Sequence, residues 1–151
     1  MAQDKDREHL FRELISVEEL LGKLDPRVHL DFISIEKPLR ILPDKIVFAV
    51  GDQPHYIYIH RRGRAVLFQN EGNDRIIYAC PTGPSFIYGL VESLSGNAFE
   101  MGIRTLTECE FDVIDRDDTI SFFQNRLAPC FRLTEILSRL YQHALQSINS
   151  H

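Results

Sequence analysis

GPSFIYGLVESLSGNAFEMGIR, residues 83–104, carries the strongest fold signal in the chain. It opens on a Gly-Pro turn, passes through a short apolar segment around Gly89, and turns again at Ser95-Gly96-Asn97. From about Phe99 it reads as a strand. The flanking sequence keeps the same grain. Upstream are Leu39–Leu42, the turn Pro43-Asp44-Lys45, Ile46–Val50 and Gly51-Asp52. Tyr56–Ile59 and Arg64–Phe68 follow, read as a hairpin about Arg61-Arg62-Gly63, and Arg75–Cys80 comes after the turn at 70–74. Downstream lie Phe99–Leu106 and Glu108–Ile114. Short strands divided by Gly, Pro and Asn turns predict a mainly β domain, a jelly roll or double-stranded β-helix with flanking helices.

The ends read as helical. Residues 6–14 form an amphipathic pattern carrying Leu10, Phe11 and Leu14, and a second helix is expected over Val17–Leu24. Ser16 is its N-cap, Glu19 completes a capping box, and Asp25-Pro26 ends it. Leu30–Ile35 alternates and suggests an extra strand, which Pro38 keeps near an edge. Asp117 or Asp118 is expected to cap a short helix over Thr119–Leu127, stopped before Pro129. A last helix spans about Cys130–Ser147, some 27 Å at the usual rise. Its apolar positions are Leu133, Ile136, Leu137, Leu140, Tyr141, Ala144, Leu145 and Ile148, a broad stripe of coiled-coil character. The division implied is a helical segment over 1–28, a β-roll over 29–116 and C-terminal helices over 117–151.

Composition excludes several function classes. The net charge of −5 and the lack of a long Lys/Arg run advertise neither a nucleic-acid nor a membrane surface. The N-terminus has no apolar core of a signal peptide, and no apolar run approaches the roughly 20 residues of a membrane span. Three widely spaced cysteines, Cys80, Cys109 and Cys130, predict reduced thiols in a cytoplasmic protein. His55 and His60 make no H-x-H pair of the kind a metal-binding jelly roll requires, and no Cys/His spacing suits zinc. No nucleophile elbow or phosphate loop is present. Neither an enzyme nor a cofactor is expected.

The order of these landmarks resembles the cyclic-nucleotide-binding domains, including the effector domains of Crp/Fnr-type regulators. In that family a Gly-Glu-Leu/Ile-x-Leu-Leu run leads through a Gly turn to Pro-Arg-x-Ala and a strand closed by a basic residue. Laid on 83–104 without a gap, the family Gly falls on Gly89, the Glu on Leu90, the Arg on Phe99 and the closing basic residue on Arg104. The N-terminal Leu10-Phe11 pair, Pro43-Asp44-Lys45 and Gly51-Asp52 match further landmarks. The resemblance implies the fold, a ligand pocket around Gly89, Leu90, Val91, Phe99, Glu100, Met101 and Arg104, and a homodimer through the last helix.

The departures are chemical. Burying a cyclic phosphate costs several kcal/mol unless a cation or aimed donors replace its water. Arg suits that task through two charge-assisted bonds, whereas Phe99 donates nothing. Leu90 cannot accept a bond from a ribose hydroxyl. Glu92 and Arg104 as displaced ligands would rescue binding, but a two-residue offset in a helical turn changes the face. The expectation is therefore a regulatory sensor and dimerisation module that refuses cAMP and cGMP and takes, if anything, an apolar small-molecule effector. In relatives a helix-turn-helix follows the dimer helix, so this chain alone is not expected to bind DNA. The alternative is a ligand-free interaction adaptor whose pocket is plugged by Phe99 and Leu90.

Overall fold

The computed structural model describes residues 14–71 and 75–149. Among these residues, nine strands form two antiparallel sheets. The larger contains β1 (Ile15–Ser16), β7 (Phe86–Tyr88), β4 (Tyr56–Arg62), β9 (Cys109–Asp115) and β2 (Lys37–Ile41), in that order. The smaller contains β3 (Ile46–Phe48), β8 (Gly102–Thr105), β5 (Ala65–Glu71) and β6 (Arg75–Thr82). Five helices flank them: α1 (Val17–Leu21), α2 (Pro26–Ser34), α3 (Leu90–Ser95), α4 (Arg116–Gln124) and α5 (Leu127–Asn149). The expected helix over 6–14 falls outside the described residues, apart from Leu14, which is buried.

Two apolar cores lie on opposite faces of the larger sheet. Between the sheets, Phe48, Leu67, Tyr88, Phe99, Ile103 and Phe111 pack together. On the outer face, Ile57, Ile59, Ile87 and Ile114 meet Leu20 and Leu21 of α1, Phe32 of α2, Phe122 and Phe123 of α4, and Leu133 and Ile136 of α5. Strand β4 serves both: alternate side chains point to opposite faces, so Ile57 and Ile59 go to the helices and Tyr58 goes to the roll interior.

Several local expectations are corrected. The sequence around Gly63 is not a hairpin: β4 pairs with β7 and β9, whereas β5 pairs with β6 and β8 in the other sheet. Gly63 makes the crossing at φ +93°, and a Cβ there would lie 2.3 Å from the Glu108 carbonyl oxygen. Residues 30–34 belong to helix α2 rather than a strand, and Ile35 is its C-cap. Asp25 and Pro26 start that helix: Asp25 accepts from the Arg27 N–H at 2.9 Å, and proline occupies the first helical turn, where its missing N–H is not needed. Ser16 caps α1 as expected, accepting from the Glu19 N–H, but the Glu19 carboxylate meets Arg139 of α5 instead of closing a capping box. Helix α4 starts earlier than expected, after Asp115, and Pro129 sits inside the first turn of α5. Pro38 does lie on an edge strand, β2.

His60 is fully buried between the sheets. Its Nδ1 shares a hydrogen bond with the Tyr88 hydroxyl at 2.8 Å, and that hydroxyl lies 2.7 Å from Thr82 Oγ1. Its ring lies 4.6 Å from that of Phe111. His55, five residues earlier, is exposed in the preceding loop. Burial pushes the His60 pKa below 6.5, against the pull of the Arg62 and Gly63 backbone. The folded state thus keeps the ring neutral while the unfolded chain takes up a proton near pH 6.5. Stability from this site is complete above that pH and drains away as the pH falls through it. Urea unfolding at pH 7.5 and 5.5 should show a loss on acidification that is smaller in His60→Gln; an identical acid loss in the variant would contradict the assignment.

Candidate functional site

The segment 83–104 wraps one end of the roll. Gly89 precedes α3 at φ +86°, and Gly96 ends the helix at φ +79°, donating its N–H to the Glu92 carbonyl at 2.7 Å. Beyond Gly96 the chain returns to the roll at Phe99. Two backbone bonds pin that residue to the Gly51-Asp52 turn: Phe99 N–H to Asp52 O at 2.9 Å and Gly51 N–H to Phe99 O at 2.8 Å. Gly51 adopts φ +91°, a conformation that L side chains rarely take.

Held in this way, the Phe99 ring stacks on Phe48, with centroids 4.0 Å apart and planes 22° off parallel. Its edge closes over Gly89. A Cβ on Gly89 would lie 3.1 Å from Phe99 Cζ and 3.0 Å from the Tyr56 carbonyl oxygen. Phe99 and Leu90 are 3% and 1% exposed, so both are core side chains. The cavity left beside them is about 40 Å³, against the roughly 300–1,000 Å³ of ordinary ligand pockets.

The anticipated pocket residues divide. Gly89, Leu90, Val91, Phe99 and Met101 line the small cavity together. Glu100 is exposed and lines a separate groove of about 260 Å³, shared with Val91, Met101 and Leu140 of α5. Arg104 is not brought to either: it lies in β8, opposite Ile46 and Val66, with its Nε 2.8 Å from Asp44. Sequence reasoning missed Phe48, Leu67, Ile87 and Tyr88, which also line the cavity. Their alternation marked them as core, but nothing local said that the two sheets would bring them to Gly89. Cys80 and Cys109 are buried and Cys130 is exposed. Burial raises the Cys109 thiol pKa. Among the described residues no cluster of three or more His, Cys, Asp or Glu side chains could hold a metal ion.

Helix α5 has two apolar faces where one stripe was expected. Leu133 and Ile136 are buried against the helical core, with Leu137 and Leu140 partly buried beside them. Tyr141 and Leu145 point elsewhere. Together with Leu127, Phe131, Thr134 and Ser138 they are exposed, at successive spacings of four, three, four, three and four. That alternation keeps one face in register, with the spacing that two-helix coiled coils use along their contact. The side chains of Ala144 and Ile148 lie outside the described residues. At its base α5 is tied to α1: Arg132 Nε donates to the Glu19 carbonyl at 2.8 Å, and Arg139 pairs with the Glu19 carboxylate. Arg116, the first residue of α4, donates through Nε to the Ser93 carbonyl of α3 at 2.7 Å. No helix is long and apolar enough to cross a membrane among the described residues.

The sequence matches no protein-family model and no curated protein. Solved structures do match. The chain superposes on the catabolite activator protein of Thermus thermophilus with a TM-score of 0.77 at 18% identity, covering 87% of this chain and 62% of that one. The N-terminal domain of a transcriptional regulator from Streptomyces coelicolor gives 0.72 at 17% identity, covering 83% and 90%. A variant of a cAMP-binding acyltransferase from Mycobacterium smegmatis gives 0.60 at 17% identity, covering 78% and 36%. The chain therefore spans less than two thirds of the Thermus and Mycobacterium proteins and most of the Streptomyces domain. Strand order, the segment 83–104 and these superpositions agree: the chain has the fold of a cyclic-nucleotide-binding-like domain.

Proposed function

We propose that this chain is a cytoplasmic regulatory sensor and dimerisation module on the cyclic-nucleotide-binding fold, one that does not take up cAMP or cGMP in the usual way. The observation that carries the reading is the Phe99 ring, stacked on Phe48 and closed over Gly89. A cyclic phosphate there would lose its water and gain neither a cation nor a ribose acceptor from Phe99 and Leu90. The space beside Gly89 accommodates about one water, not a nucleotide.

Output runs through α5. An apolar effector would enter the groove between Val91, Met101 and Leu140 and change how α5 sits on the roll. The shift would be as large as the effector's preference for one helix position over the other. The Arg116 bond from α4 to α3 gives this groove a mechanical link to the helices that follow it. Dimerisation uses the exposed seam of Leu127, Phe131, Tyr141 and Leu145, because Leu133 and Ile136 are already committed to the chain's own core. Burying such side chains stabilises by roughly 1.5–3 kcal/mol each before association costs are subtracted. A module of this kind signals through its helix pair. A second reading, a ligand-free interaction adaptor, is favoured by the small size of the cavity. An extracted small molecule in native mass spectra would favour the sensor, and a consistently empty protein the adaptor.

Calorimetry should give no heat of binding for cAMP or cGMP up to millimolar concentration. Micromolar binding by the unaltered chain would end the proposal, whereas its appearance only in Phe99→Arg with Leu90→Glu would support it. Phe99→Ala should lower unfolding stability by about 3–5 kcal/mol, the usual cost of a buried phenylalanine, measured by urea denaturation. Sedimentation should find a dimer that Phe131→Glu with Leu145→Glu converts to a folded monomer; a monomer at hundreds of micromolar before any substitution would dispose of the seam.

A further inference from the structure

On the outer side of Phe99 a second cleft opens between the ends of the two sheets. Its volume is about 350 Å³, and Phe48, Asp52, His55, Tyr56, Tyr58 and Phe99 are among its walls. We propose that this cleft binds a small alkylated ammonium cation, with the aromatic faces as the cage and Asp52 as the counter-charge.

Tyr56 and Tyr58 stand two residues apart on β4 and so share a face of the strand. Their rings are 6.3 Å apart at 69°, two walls of a corner. Phe48 lies 5.2 Å from Tyr58 and, backed by Phe99, closes the rear. Tyr56 is 40% exposed, which leaves the mouth open while the rear wall is dry. Aromatic faces carry negative potential, and an alkylated ammonium gives up its weakly held water readily to meet them.

The charge at the mouth has the matching sign. One oxygen of Asp52 accepts from the Ala49 N–H at 2.9 Å, which fixes the carboxylate, and the other has no hydrogen-bond partner among the described residues. Among the described residues no Lys or Arg lines the cleft. The Tyr58 hydroxyl has its pKa raised by burial first, then by neighbouring Tyr56 and Asp52. Local negative potential of this kind repels an anion and draws a cation. An apolar molecule would satisfy the rings but not the carboxylate.

The test pairs choline and tetramethylammonium with 3,3-dimethylbutan-1-ol, the uncharged carbon analogue of choline. Amide NMR signals of residues 51–56 should shift saturably with both cations at low millimolar concentration or below, and stay in place with the alcohol. Tyr56→Ala and Asp52→Asn should each weaken choline between about threefold and thirtyfold, the range expected for loss of one cation–π or charge contact. Asparagine keeps an acceptor for the Ala49 N–H, so Asp52→Asn reports on charge even if Tyr56→Ala is poorly folded. No saturable shift with either cation, equal response to the alcohol, or unchanged affinity in Asp52→Asn would overturn the assignment.

Discussion

A face-to-face contact between two benzene rings holds this molecule's centre in place. Phe48 comes from β3 in the smaller sheet, and Phe99 comes from the return of the segment after α3. Offset stacking at this distance contributes about 0.5–1.5 kcal/mol beyond the area it buries. Its structural effect is larger than that figure, because Phe99 is also held by two backbone bonds to the Gly51-Asp52 turn. The turn sets the backbone, the stack sets the ring, and the ring leaves Gly89 no room for a side chain. Remove the aromatic partner and the end of the roll loses its seal.

Around that seal the helices are arranged by charge as well as by apolar surface. Glu19 is a junction: its N–H donates to the Ser16 hydroxyl that caps the helix, its carbonyl receives Arg132, and its carboxylate receives Arg139. A five-residue helix has little stability of its own. Here α1 is positioned by Leu20 and Leu21 beneath it and by two arginines from α5 above it. The partly exposed pair adds little energy, but the bonds specify how α5 leaves the domain. Helices α1 and α5 are therefore locked together over the same face of the larger sheet.

Much of this was legible in the sequence, and the parts that were not share a cause. Strand and turn positions followed from period-two patterns and from Gly and Pro, and the segment 83–104 identified the fold through its order of turns. The replacement of an anion's partners by Leu90 and Phe99 was readable residue by residue. Pairing was not: Arg61-Arg62-Gly63 has the local chemistry of a hairpin, yet the chain crosses to the other sheet because β4 finds β9 and β5 finds β8. Residues 30–35 alternate, but Asp25 and Pro26 start a helix whose Phe32 is claimed by Phe122 at 5.2 Å. The exposed face of α5 was hidden for the same reason. Thr134 and Ser138 are not apolar, so the four-three spacing emerges only once Leu133 and Ile136 are known to face inward.

The place of β9 in the sheet order has a consequence for how the protein is made. It lies between β2 and β4, joining residues 37–41 to residues 109–115. Until that final strand has left the ribosome, two earlier strands present unpaired edges that could pair wrongly with each other or with a neighbouring chain. Synthesis must run well past residue 115 before the larger sheet can assemble. Until then β2 and β4 stay open on those edges, and the arrival of β9 closes both at once.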